Sequence, residues 1–141
     1  MSNKKEILTE ELLEELLSKP KIDCFADNEI LHHMSLNEYL NTLLKEKSLE
    51  KKDVIHNTNL NETHAYQIFS GDRNASRDKI LQIAFAMKLS LKECNRLLHC
   101  AGVSSLYCKN RRDAIIIYCL DSGRSVDDTN DELYRFDEDT L

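Results

Sequence analysis

KKDVIHNTNLNETHAYQIFSG, the stretch from Lys51 to Gly71, decides the fold of this chain. Its apolar side chains recur at helical spacing on either side of a short polar stretch, which predicts two short helices joined by a turn. The first helix is expected over about 50–57 and the second over about 62–70. Asn61 is a good N-cap for the second helix, and Gly71 can close it in the left-handed backbone conformation. The two helices can therefore lock at a steep angle, with polar side chains of the second one facing outward.

Three further helices are predicted around this pair. Ser35 and Glu38 have the spacing of a capping box. Ser90 and Glu93 repeat that spacing, and Ser76 is a third N-cap candidate. The three helices are expected over about 36–47, 77–87 and 91–100. The predicted core positions of all five helices are Leu36, Tyr39, Leu40, Leu43, Leu44, Val54, Ile55, Ala65, Ile68, Phe69, Ile80, Ile83, Ala84, Met87, Leu91, Cys94, Leu97 and Leu98.

Helical patterns also occupy both ends of the chain. A helix with a leucine stripe and an acidic face is expected over 6–19. Asn110 can cap a helix over about 111–120, and Ser125 can cap a short last helix. The tail Asp137–Asp139 is acidic and is expected to fray. The predicted organisation is an acidic N-terminal helical extension over 1–34, a five-helix domain over 35–101 and a C-terminal helical extension with an acidic tail over 102–141.

Composition and charge favour a mostly helical, acidic protein. The 141 residues include one proline and three glycines, so there are few breaks in the helical pattern. The net charge is −6, with −4 over residues 1–34, +2 over 35–100 and −4 over 101–141. Nonspecific binding of an acidic chain to polyanions is weak. The positive charge of the middle segment is nevertheless compatible with a small local contact area on DNA.

Several functions are disfavoured by what the sequence lacks. The five cysteines are odd in number and include no CxxC pair, so we expect reduced thiols packed in helices rather than a zinc site. The N-terminus is too charged for a signal peptide, and the longest apolar run is too short for a membrane span. No nucleophile–base set and no glycine-rich phosphate loop is visible. We therefore predict a cytoplasmic protein that is not an enzyme and has no cofactor, metal site or membrane contact.

The segment 51–71 resembles the helix-turn-helix of the Cro/lambda-repressor family, also called the XRE family. The matching apolar positions are Val54, Leu60, Ala65, Ile68 and Phe69. The resemblance covers Ser35–Ala101, about half of the chain. The chain is also similar to a bacterial subgroup with a YQIFSG-R-SRDK core, here Tyr66–Lys79, and a later RRDAIIIY segment, here Arg111–Tyr118. The resemblance implies an all-α, lambda-repressor-like five-helix DNA-binding domain, extended by helices at both ends.

The resemblance also implies double-stranded DNA as the partner, with the helix over about 62–70 in the major groove. Base-reading positions carried over from the family are Glu62, Thr63, His64 and Gln67. Their chemistry suits this role, since Gln67 can pair with adenine and His64 can bond a guanine or a phosphate. The implied phosphate contacts are Lys51, Lys52, Asn61, Arg73, Arg77 and Lys79.

Several positions depart from the family pattern. Asn59 stands where the family has a glycine in the turn, so we expect Asn59 to take a positive φ. Ile55 replaces a small alanine at the contact between the two helices, and Thr58 replaces a hydrophobic residue. The predicted recognition helix contains no lysine or arginine, and Glu62 repels phosphates unless it reads a base.

Two functions from different classes therefore stay open. The first is a sequence-specific DNA-binding transcriptional regulator, which represses by occupying its site as a homodimer. The helical extensions at both ends would supply the dimer or partner surface. The alternative is a protein-interaction or antitoxin-like adaptor that keeps the helix-turn-helix fold and binds DNA weakly. Two interpretations also stay open for Arg111–Asp113, which can contact a phosphate or a partner, or can form a cluster of ion pairs at a helix start.

Overall fold

A computed structural model describes the protein over residues 34–141. This part of the chain forms one compact unit with helices and no strands, so the predicted all-α class is confirmed. The predicted helix over 6–19 lies outside the described residues. The seven helices are α1 (Leu36–Glu46), α2 (Lys51–His56), α3 (Glu62–Ser70), α4 (Arg77–Ala86), α5 (Leu91–Cys100), α6 (Arg111–Asp121) and α7 (Val126–Arg135). Within residues 34–141, no helix has the length and apolar character that crossing a membrane requires.

The helices begin and end where short side chains and glycine satisfy their backbone groups. Ser90 and Glu93 form both halves of the predicted capping box at the start of α5. The side chain of Asn61 accepts a hydrogen bond from the backbone N–H of His64, as predicted for the N-cap of α3. Gly71 ends α3 with a φ of 87°, and a Cβ there would meet the Asn37 side chain at 2.9 Å. Local signals therefore explain the bounds of these helices.

The centre of the unit is α4. Six consecutive residues of this helix, from Ile80 to Phe85, are buried, because α2, α5 and α7 all pack against it. A one-stripe helical pattern does not predict Leu81, Gln82 or Phe85 as core residues. Leu91 was predicted in the core but is 37% exposed, since it begins α5 at the edge of the unit.

Helices α6 and α7 share their core with the first five helices. α6 packs against α5 and α7, and α7 packs against α4. Buried apolar side chains of this C-terminal segment join the same core cluster: Leu106, Ile116, Cys119, Leu120, Val126 and Leu133. The expectation of a frayed tail is wrong. Arg112 Nε donates to the Asp139 carbonyl at 2.8 Å, and the backbone N–H of Leu141 donates to Asn130 Oδ1 at 2.7 Å.

Two ion pairs connect the starts of α4 and α6, and we call them the crossed ion pairs. Both guanidinium ends of Arg77 donate to the Asp113 carboxylate, at 2.9 and 2.8 Å. Arg112 makes the same bidentate contact with Asp78, at 3.0 and 3.1 Å. Of the two interpretations of Arg111–Asp113, the structure shows the cluster of ion pairs within the chain.

The crossed ion pairs set the protonation behaviour of Asp113. Burial by itself would raise the pKa of this carboxyl. The hydrogen bonds from Arg77 and from the backbone N–H of Tyr107, together with the charges of Arg77 and Arg112, outweigh burial and hold the pKa below its ordinary value. Asp113 is therefore a charged, fully partnered group at neutral pH.

The turn between α2 and α3 differs from its sequence-based description. Among residues 34–141, the non-glycine residues with positive φ are Ser48, Lys88 and Asp137, so the expectation for Asn59 is wrong. Hydrogen bonds to neighbouring helices hold the turn instead. The Asn59 N–H donates to Gln82 Oε1 in α4 at 2.9 Å, and Asn59 Nδ2 donates to Asp127 Oδ1 in α7 at 3.1 Å. Hydrogen bonds from α4 and α7 therefore hold this turn, whereas the sequence led us to expect a positive φ at Asn59.

Candidate nucleic-acid interface

An open depression of about 360 Å³ lies over the outward side of α3. It is lined by Leu60, Asn61, Thr63, His64, Gln67, Arg73 and Lys79. Three of the four predicted base-reading residues thus lie beside three of the six predicted phosphate contacts. They come from α3 and its N-cap residue Asn61, from the loop after α3 and from the first turn of α4.

The register of α3 explains which side chains face this depression. Ala65, Ile68 and Phe69 are fully buried against the core, which fixes the rotation of the helix about its axis. The residues on the opposite side, including His64 and Gln67, then point away from the core. The hydrophobic positions of the sequence therefore select the polar side chains that the protein displays.

A contact between α3 and α4 crosses the depression. Lys79 Nζ lies 3.1 Å from His64 Nε2. Partial burial lowers the pKa of His64, and the positive charges of Lys79 and Arg73 lower it further. His64 is therefore a neutral imidazole at neutral pH.

The predicted contacts Lys51, Lys52 and Glu62 do not line this depression. Lys52 is exposed on α2, and Lys51 is partly buried with its Nζ 5.7 Å from the centre of the Phe69 ring. Glu62 is exposed at the first position of α3 and does not line the depression. Asn61 lines it, but its Oδ1 is used as the cap of α3.

Arg77, another predicted phosphate contact, does not line the depression. Its side chain is 22% exposed, and it donates to Asp113 and to the carbonyl oxygens of Ser104 and Ser105. The structure therefore uses this predicted phosphate contact to join α4 to the chain after α5.

Two further residues support the site: Leu60, which the sequence marks only as an apolar position of the helix-turn-helix, and Gln82, which was not predicted. Leu60 forms part of the lining of the depression, and Gln82 holds the turn before α3. The sequence carries a signal for Gln82, because it is a polar residue within the apolar run from Ile80 to Phe85. No local pattern shows that its partner is a backbone N–H 23 positions away.

An alternative site among the cysteines and acidic groups of the described part of the chain would be a metal centre or a reactive buried thiol. No group of three His, Cys, Asp or Glu side chains in residues 34–141 is placed to hold a metal ion. Cys94 and Cys119 are buried free thiols, and burial raises the pKa of Cys94 to about 12. A thiol with so high a pKa is a poor nucleophile at neutral pH.

The chain matches no protein-family model, no curated protein and no solved structure. The resemblance to the Cro/lambda-repressor family therefore depends on the residues of the chain itself, above all those between Lys51 and Gly71.

Proposed function

We propose that this protein is a sequence-specific DNA-binding regulator of transcription that places α3 in the major groove. The observation that carries the proposal is the depression over α3, where Thr63, His64 and Gln67 lie beside Arg73 and Lys79. Side chains that can bond base edges thus share one exposed surface with cations that can contact phosphates. The arrangement of α1 to α5 supports the further proposal of a lambda-repressor-like domain.

The distribution of charge supports a small and specific footprint. The whole chain carries −6, yet Arg73 and Lys79 both line the depression over α3, and Lys52 is exposed on the preceding helix α2. Nonspecific binding grows with the number of phosphates neutralised, so few cations give weak nonspecific binding. Base contacts must then supply much of the affinity. We propose that the protein acts as a homodimer, since two half-sites double the number of such contacts.

A selection experiment tests the proposal. Random duplexes are selected with the full chain at low salt, and the enriched duplex is then measured at two salt concentrations. We expect one sequence to be enriched. The logarithm of its binding constant should fall linearly with the logarithm of the salt concentration, with a small slope that reflects the few phosphates contacted. If no duplex is enriched, the proposal is wrong.

Two variants separate the two kinds of contact. Gln67→Ala should relax preference at one base pair, at a cost of roughly 1–3 kcal/mol. Arg73→Ala should weaken binding to all duplexes alike and reduce the salt slope by about one. Lys92→Ala is a matched control, because Lys92 is an exposed cation on α5 outside the depression. It should leave both quantities unchanged.

A second candidate function is favoured by a specific observation. Helix α3 contains no lysine or arginine and begins with the exposed Glu62, while Asp127 contacts the turn before it. These carboxylates oppose a phosphate backbone and would suit an adaptor that binds a protein through this face. Failure to enrich any duplex, together with intact folding, would favour the adaptor.

A further inference from the structure

The pair formed by Lys79 and His64 has a chemical consequence for what α3 can recognise. Both residues lie in the first turns of their helices, α4 and α3, and both side chains are partly buried. A lysine ammonium has three N–H donors and no acceptor. At 3.1 Å, Lys79 Nζ must therefore donate, and His64 Nε2 must accept with its lone pair.

The acceptor role of Nε2 fixes the other ring nitrogen. A neutral imidazole carries one proton, so a lone pair on Nε2 places the hydrogen on Nδ1. Within residues 34–141, no side chain or carbonyl accepts that hydrogen. Nε2 of the ring is thus engaged by Lys79 of α4, and the N–H at Nδ1 can donate to a group outside the protein. The charged groups that face it are Lys79 from α4 and Arg73 from the loop after α3, and both disfavour a second proton.

We propose that Lys79 fixes His64 as a hydrogen-bond donor toward the bases, so that α3 selects a base with acceptors in the major groove at this position. Guanine fits best, because O6 and N7 are two adjacent acceptors, whereas adenine and thymine each offer one. Cytosine is disfavoured, because its amino group is itself a donor. Lys79 is then a positioning residue for specificity as well as a cation near the phosphates. This inference rests on the proposed DNA-binding function.

The first test concerns the tautomer and needs no DNA. Long-range proton–nitrogen NMR spectra of the ¹⁵N-labelled full chain at pH 7.5 distinguish the two ring nitrogens of His64. We expect the Nδ1–H tautomer in the natural protein and in Lys79→Arg. Lys79→Met keeps most of the apolar stem and removes the donor, so it should give a mixture of tautomers. A natural protein with the hydrogen on Nε2 would overturn the inference.

The second test measures base preference on the selected duplex and its single-base variants. We expect guanine to be preferred over cytosine by about tenfold at one position. His64→Ala should remove that preference. His64→Gln should keep it in part, because a glutamine carbonyl can accept from Lys79 while its amide group donates to the base.

Lys79→Met is the decisive variant, with Lys52→Met as its comparison. Both remove one positive charge, and Lys52 is exposed on α2 without contact to His64. We expect Lys79→Met to reduce the guanine preference and Lys52→Met to weaken all duplexes alike. If Lys79→Met weakens all duplexes alike and keeps the preference, Lys79 is a phosphate contact only and the inference is wrong. Lys79→Arg, which should keep the preference, guards against a loss caused by misfolding. A natural protein that enriches no duplex would instead overturn the proposed function, and the NMR result would then stand by itself.

Discussion

The ion pair of Arg77 with Asp113 shows that one contact between residues far apart in the sequence determines the role of a side chain. The family resemblance implies that Arg77 is a phosphate contact, together with Arg73 and Lys79. In the structure it is joined to Asp113, 36 positions away, and to two carbonyl oxygens. A sequence pattern identifies a cation but does not show which anion it meets in the folded chain. His64 and Gln67 were easier to place, because their direction follows from the apolar residues of the same helix.

Removing the charge of Asp113 should destabilise the protein in a pH-dependent way. Asp113→Asn leaves Arg77 partly buried beside a neutral group, and we expect a loss of roughly 3 kcal/mol in the free energy of unfolding at pH 7. The pKa of Asp113 is lowered in the folded protein, so its stabilisation is fully present above the ordinary pKa of about 3.9. It is lost as the pH falls through the lower, folded value. The difference between the two proteins should therefore begin to narrow only below about pH 4.

Urea unfolding followed by circular dichroism at pH 7, 5 and 3 measures this difference. Asp121→Asn is a suitable control, because Asp121 is the exposed last residue of the same helix. It should change the free energy of unfolding by less than about 0.5 kcal/mol at pH 7. Equal stability of Asp113→Asn and the natural protein at pH 7 would contradict the expected importance of the pair.

At the scale of the helices, the sequence predicted most of what the structure contains. Every predicted helix between Leu36 and Arg135 is present, because capping residues and apolar spacing are local properties. The errors arise where a helix depends on its neighbours. α4 is buried on several sides, which no single stripe predicts, and the turn at Asn59 is held by Gln82 and Asp127 rather than by a positive φ.

Two serines provide a direct measure of what a helix cap contributes. Ser76 and Ser90 precede α4 and α5 with nearly the same backbone angles, φ −68° and ψ 162° against φ −70° and ψ 164°. The Ser90 side chain accepts from Glu93 N–H, whereas the Ser76 side chain makes no cap hydrogen bond. We expect Ser90→Ala to cost about 1 kcal/mol of unfolding free energy and Ser76→Ala less than half of that. Urea denaturation of the two variants in parallel gives the comparison, and equal losses would show that the cap hydrogen bond is not the cause.

At the scale of the whole molecule, the segment after Gly102 shares one core with the helix pair that bears the candidate site. Ile116 in α6 is fully buried in the cluster that also contains Ile68 and Phe69 of α3. The sequence treated 102–141 as an extension, because its helices are separated from the others by a loop and no local pattern shows what their apolar sides contact. The register of α3 follows from its own apolar residues, and six of the ten residues proposed for the candidate site line one depression.

Truncating Ile116 should therefore affect the distant α3. Ile116→Ala should cost about 2–5 kcal/mol and lower the hydrogen-exchange protection of α3 amides along with that of α6. Ile117→Ala is the matched control, since Ile117 is only partly buried on the same helix, and its loss should be smaller. Unchanged protection in α3 would indicate that the two parts unfold independently.

The crossed ion pairs also constrain how the chain can change. Arg77 and Asp78 form an Arg-Asp dipeptide in α4, and Arg112 and Asp113 form the same dipeptide in α6. Two identical Arg-Asp dipeptides pair arginine with aspartate only when they run in opposite directions. If they ran in the same direction, arginine would face arginine and aspartate would face aspartate. Reversing the order of one dipeptide would therefore break both bridges at once, whereas reversing both would restore them. The order of the two residues in one dipeptide therefore determines the order required in the other. A substitution that reverses the charges of one dipeptide keeps the ion pairs only if the other dipeptide changes with it.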